Sequence, residues 1–173
     1  MTVDEMIARE SIRRTMASYT MAGDRLRVDD FIAVFTDDAV LESDGVPESD
    51  AFRYEGRQAI RDWMDRWRRS ASAAQRAAGS AALRAAQQRS APADRATFVR
   101  HHLSTSQIEF SGPDTAQART YWVAYTDIGP DHCGYYLDEF RKSGGQWLIA
   151  HRRVRLDWRS PRSLFKTAIA GSR

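Results

Sequence analysis

The side chains in this sequence best suited to moving protons near neutral pH are its histidines and the carboxylates and phenols that could partner them. The chain has four histidines. Two of them, His101 and His102, stand side by side in Thr97–Phe110, TFVRHHLSTSQIEF. A neutral imidazole can take a proton, and a carboxylate on its other nitrogen fixes the tautomer and stabilises the imidazolium that forms. Asp24 is the candidate partner, because it follows Gly23 at the end of an apolar helical stripe and could reach inward. Tyr19 lies five residues earlier on the same stripe, where a buried phenol needs a partner and can act as a general acid. Arg155, in the run HRRVR at 151–155, could hold a substrate oxygen. Each residue also has a plainer role. Asp24 could cap a turn, His101 could be a satisfied core histidine, Tyr19 could be packing, and Arg155 could form a surface salt bridge.

Other chemistries find little support. There is no G-x-G-x-x-G, no P-loop and no G-x-S-x-G elbow. The single cysteine, Cys133, has no companion at metal-ligand spacing, and His132 beside it makes no recognised cluster. The expectation is an acid–base site with no metal and no organic cofactor.

The elements that would position these residues follow from periodicity and turn chemistry. Thr2-Val3-Asp4-Glu5 has the pattern of a capping box. Ala8, Ile12, Met16, Tyr19 and Gly23 then follow at helical spacing, and Gly23 is expected to stop the helix. Asp29-Asp30 opens a short second helix over 31–35, and Thr36-Asp37-Asp38 reads as a turn. Strands are expected at 39–42 and 52–55. Gly56 breaks the second, and a helix follows over 57–67 with Ile60, Trp63, Met64 and Trp67 on one side.

Residues 68–95 are rich in Ala, Arg, Ser and Gln, with Leu83 the sole large aliphatic, and read as an exposed helical or mobile insertion. Beyond it, 97–110, 115–128, 132–142 and 146–158 read as strands joined by Gly-containing turns, an antiparallel meander. Residues 159–173 form a C-terminal tail.

Helices first and a meander last specify an α+β fold. A strongly curved, mainly antiparallel sheet wrapped on the N-terminal helix would make a cone-shaped α+β barrel around a hydrophobic pocket. Trp63, Tyr54 and Tyr121 are expected beside Arg155 as substrate-binding side chains. Successive strand residues face opposite sides, so His101 and His102 must diverge. Val99 and Leu103 share the parity of His101, whereas Ile108 and Phe110 share that of His102. A bulge near Ser104–Ser106 would reconcile the two, but parity alone leaves the inward histidine open. The meander carries aromatics on both faces, so its outer face is expected to be covered in a homodimer or homotrimer.

The whole chain bounds these readings. Its 173 residues suit one domain, 42% hydrophobic and 28% charged. The net charge of +3 comes from dispersed arginines, and no nucleic-acid motif accompanies it. One cysteine excludes an intrachain disulfide and suits a reducing, cytoplasmic setting. No apolar run of signal or membrane length is present.

The segments IRRTMASYTMAGD, FIAVFTDDAVLE, YEGRQAIRDWM, RHHLSTSQIEF, ARTYWV and DEFRKSGGQWLIAHRRV together resemble the SnoaL-like branch of the nuclear-transport-factor-2-like superfamily. Within it the pattern is similar to lindane dehydrochlorinase, scytalone dehydratase and bile-acid 7α-dehydratase. The resemblance implies a cofactor-free lyase with an Asp–His dyad acting on a hydrophobic cyclic or aromatic small molecule. It places the Asp at Asp24 and selects His101 over His102. The tyrosine of the bile-acid enzyme matches Tyr19, and its last-strand arginine falls near Arg155. Formaldehyde lyases of lignin-derived aromatics share the superfamily. So do polyketide cyclases and isomerases, and the structural β subunit of aromatic-ring-hydroxylating dioxygenases.

Overall fold

The computed structural model describes residues 1–46, 48, 51–70 and 96–164. The expected insertion at 68–95 and the tail at 159–173 therefore lie largely outside the described residues.

Helix α1 spans Val3–Gly23. Thr2 caps it, its hydroxyl accepting from the Glu5 N–H at 3.2 Å, as the capping box requires. Glu5 turns its own carboxylate to Arg9 instead of back to the cap. The chain leaves α1 through Leu26, a non-glycine residue at φ 54°, and enters the short helix α2, Val28–Ile32. Helix α3 covers 57–70 and starts just after Gly56, whose φ of +83° suits glycine alone.

The described residues form six strands, β1 (Phe35–Asp44), β2 (Arg53–Glu55), β3 (Arg100–Gly112), β4 (Thr115–Thr126), β5 (Gly129–Ser143) and β6 (Gln146–Arg159). Their order in the sheet is β2-β1-β6-β5-β4-β3. The β3–β4–β5–β6 meander is antiparallel, as expected, and β1 joins β6 in parallel. The sheet stays open, with β2 and β3 at its edges, and curves around the helices. Residues 36–38, expected as a turn, belong to β1. The pairing of β1 with β6 shifts register between Phe35 and Val40, so the turn-like composition is absorbed as an irregularity in a strand.

Strand parity sets the two faces of the sheet. Along β4, Ala116, Ala118, Thr120, Trp122, Ala124 and Thr126 are buried, while their odd-numbered neighbours are half-buried or exposed. Ala116 and Ala118 join Ile12, Met16, Phe31, Phe35, Leu41, Ile60, Met64, Phe140 and Ile149 in the main core between helices and sheet, while Trp122 and Ala124 form a second cluster with Tyr136. Thr15 locks α1 to the sheet by donating its hydroxyl to the Trp147 carbonyl at 2.6 Å.

Candidate active site

Asp24 caps the C-terminus of α1, its N–H bonded to the Thr20 carbonyl at 2.9 Å. Its side chain turns inward and is 7% exposed. One carboxylate oxygen accepts from the His101 backbone N–H at 2.9 Å. The other lies 2.6 Å from His101 Nδ1. The carboxylate therefore grips both the strand and the ring at the start of β3. With Nδ1 engaged, Nε2 is the nitrogen left to meet a ligand.

The bulge in β3 decides which histidine does this. Pairing with β4 shifts between Leu103 and Ser106, so His101 and Leu103 share the inner face with Ile108 and Phe110. His102 is exposed on the outer face, with its ring 5.1 Å from that of Tyr125.

His101 and Asp24 are among the residues that line a cavity of about 120 Å³. The rest of its wall is mainly apolar, with Phe31, Phe52, Trp63, Trp67 and Val154 among the lining residues, and His132 and Arg159 add further polar side chains. Such a cavity favours a hydrophobic guest oriented by a few polar groups. Tyr19 also lines it. The Arg152 guanidinium lies 4.0 Å over the Tyr19 ring and 4.1 Å over that of Tyr136. Burial pushes the Tyr19 phenol above its ordinary pKa, and nearby Arg152 only partly opposes this. Tyr19 thus keeps its proton at neutral pH.

Of the other expected site residues, Trp63 lines the cavity. Tyr54 does not. It stacks on Trp63 and Phe52, with centroids at 5.5 and 5.7 Å, and supports the wall from behind. Tyr121 is corrected outright. It is 46% exposed on the outer face of β4, because its parity is opposite to that of buried Trp122. Arg155 is corrected as well. It stands opposite Tyr135, its guanidinium 5.8 Å from that outer-face ring, and near Asp44 and Asp157 at 3.9 and 3.6 Å.

Two arginines of β6 face inward: Arg159 lines the cavity, and Arg152 is fully buried and bonded twice to Asp138, each contact 2.7 Å. Burial alone would lower its pKa, but the Asp138 carboxylate outweighs this and holds it above the ordinary arginine value. The register shift between Glu139 and Phe140 brings Arg152 to the inner face. The sequence shows neither this bulge nor its effect on parity, and Arg152 sits unmarked in the basic run.

Sequence reasoning also passed over His132. It lines the cavity, with its ring centroid 6.0 Å from that of His101 and 5.5 Å from Trp122. Its Nδ1 lies 2.8 Å from a carboxylate oxygen of Asp131, which is itself fully buried. Asp131 and His132 are consecutive yet both buried, because the β4–β5 pairing steps from Ala124↔His132 to Tyr125↔Pro130 and leaves Asp131 as the extra residue. The adjacent Asp-His pair after Gly129-Pro130 was the signal available. Among the described residues no group of three or more His, Cys, Asp or Glu could hold a metal ion.

The profile of the SnoaL-like domain matches residues 4–153. The chain belongs to the SnoaL-like domain family. This SnoaL-like protein also shares its fold with several solved structures. A Novosphingobium aromaticivorans protein, provisionally assigned as a scytalone dehydratase, is 21% identical with a TM-score of 0.65, over 92% of this chain and 91% of that one. The hexachlorocyclohexane dehydrochlorinase LinA-type3 of Novosphingobium barchaimii is 14% identical with a TM-score of 0.64, over 92% of each chain. The β subunit of an aromatic-ring-hydroxylating dioxygenase from N. aromaticivorans, also a provisional assignment, is 18% identical with a TM-score of 0.64, over 96% and 97%. At these identities the likeness establishes the fold. No curated protein matches the sequence.

Proposed function

We propose that this SnoaL-like protein is a lyase that eliminates a leaving group from a hydrophobic cyclic or aromatic molecule, with His101 as base and Asp24 as its orienting partner. The observation that carries the reading is the double grip of Asp24 on His101, both lining a mainly apolar cavity. His101 Nε2 takes a proton from the substrate carbon beside the leaving group. The C–H electron pair becomes the new double bond, and the leaving group departs with the electrons of its own bond. Tyr19 supplies the proton that turns a departing hydroxide into water. Asp24 stabilises the imidazolium, and once product has left its proton restores the Tyr19 phenol through solvent, so both groups return to their starting states. None of these steps calls on a metal or organic cofactor. Polycyclic substrates fit this scheme; in a lignin-derived aromatic releasing formaldehyde, His101 would instead take the hydroxymethyl O–H proton, the C–C bond to that group would supply the electron pair of the new double bond, and hydroxide would leave with the Tyr19 proton.

The test is turnover of a panel of hydroxylated cyclic and aromatic compounds. His101→Ala and Asp24→Asn should each lower turnover by at least about a hundredfold, the usual worth of one positioned acid or base. The double variant should be little worse than either single one, because the two groups act as a unit. Near wild-type turnover in both single variants on an identified substrate would exclude the dyad.

A second reading is supported by the likeness to a dioxygenase β subunit across nearly the whole chain. Absence of turnover, together with co-purification with a larger Rieske-type subunit, would favour it.

A further inference from the structure

The cavity carries a second phenol that the proposed elimination does not use. Tyr136, on β5, is 3% exposed and lines the cavity together with Tyr19. Among the described residues no group forms a hydrogen bond with the Tyr136 hydroxyl, although a buried phenol ordinarily finds a partner. Its oxygen is not sealed within the core either, so the cavity is the space it meets. The ring itself is firmly held. Trp122 stacks on it at 5.7 Å, the Tyr19 ring meets it edge-on at 5.8 Å, and the Arg152 guanidinium lies 4.1 Å over it. Burial pushes the phenol well above its ordinary pKa, and the Tyr19 phenol beside it acts in the same direction. The hydroxyl therefore keeps its proton, and the cation over the ring draws electron density from it and strengthens it as a donor.

From this fixed, unpartnered hydroxyl we infer that Tyr136 is a substrate-binding residue, donating a hydrogen bond to an acceptor oxygen on the molecule that His101 addresses. Trp122 neighbours both groups, 5.7 Å from the ring of each, so one small cyclic molecule can meet the base and the phenol together. A donor in a mainly apolar wall selects for a carbonyl, ether or hydroxyl oxygen and against a hydrocarbon at the same place. The substrate class is thereby narrowed to rings that bear an acceptor oxygen besides the group that leaves. The inference rests on the proposed function only in taking this cavity as the substrate site, and it does not depend on elimination chemistry.

Binding therefore tests it apart from turnover. The probes are acetophenone and α-methylstyrene, which are similar in shape, the ketone oxygen of one standing where the other has a methylene group. Their dissociation constants would be measured by equilibrium dialysis in sealed cells against the full chain. Tyr136→Phe should weaken acetophenone binding by about threefold to tenfold, the scale of one hydrogen bond, and leave α-methylstyrene unchanged. Tyr19→Phe and His101→Ala should keep the wild-type ratio of the two constants whether or not they abolish turnover, so a failed elimination reading would still leave this result legible. Undiminished acetophenone binding in Tyr136→Phe would overturn the inference. So would equal losses for both probes, or a loss confined to Tyr19→Phe. Failure of the wild type to bind either probe would overturn it together with the reading of the cavity as the substrate site. The carbonyl stretch of acetophenone bound to wild type gives a readout that needs no variant. It should lie below its frequency in hexane, and a hexane-like frequency would also overturn the inference.

Discussion

Tyr19 carries two tasks that separate by substitution. Its ring packs 4.7 Å from Phe31 and lies against the Arg152 guanidinium, while its hydroxyl is the proposed proton donor. Tyr19→Phe removes the donor and keeps the ring, so folding should be unaffected. Turnover of substrates that lose hydroxide should fall by about a hundredfold or more. Substrates that lose a halide need no proton on the leaving group and should fall much less. A panel with both leaving groups, assayed at one pH, checks the difference. Equal losses would assign Tyr19 to packing alone.

At the level of elements, the bulges place the polar groups. The shift in the β5–β6 ladder delivers Arg152 to the interior beside Asp138, both fully buried. Arg152→Leu leaves that carboxylate without its counter-charge and should destabilise the protein by about 3–5 kcal/mol. Arg155→Ala, three residues along on the outer face, should change stability by under about 0.5 kcal/mol. Urea titration of the two variants compares them directly.

The irregularity at Asp131 gives the start of β5 a pH dependence. Burial holds the His132 pKa below its ordinary value, although Asp131 opposes this. The unfolded chain therefore takes up that proton first on acidification. Stability from this residue is full above about pH 6.5 and falls as the pH drops below it. For Asp131, burial raises the pKa but the hydrogen bonds from Ser163, His132, Leu164 and Thr126 outweigh it, so the folded value is depressed. Its contribution is present above the ordinary carboxylate value and is lost as the pH falls through the folded one. Both effects act in the same direction. Tm should fall between pH 7.5 and pH 5, and His132→Gln should flatten part of that fall.

Over the whole molecule, the outer face of the sheet carries aromatic side chains that the described residues leave partly exposed. Tyr121 and Tyr125 are 46% and 37% exposed there, with Tyr135 opposite Tyr121 and Arg119 stacked 4.0 Å over the Tyr135 ring. Apolar surface of this kind gains free energy when it is covered by another copy. The protein should run as a homodimer or homotrimer in light scattering at micromolar concentration, and Tyr121→Glu should shift it toward monomer. A monomeric wild-type mass would contradict this. No helix among the described residues is long and apolar enough to cross a membrane.

The sequence by itself determined the α+β order, the capped first helix, the meander and the apolar stripes that build the core. These depend on local periodicity and turn chemistry, which act within a few residues. It also indicated that a bulge was needed in β3, because the parities of Leu103 and Ile108 conflict. It did not fix where the other bulges fall. The shifts at Asp131 and between Glu139 and Phe140 depend on pairing between strands, and each reverses which side chains face inward. Tertiary structure alone therefore put Arg152 inside and Arg155 outside, turned Tyr121 away from the cavity, and set His132 beside His101. Hydrogen bonds across 77 residues join Asp24 to His101, and only the curvature of the folded sheet around α1 brings their partners within reach.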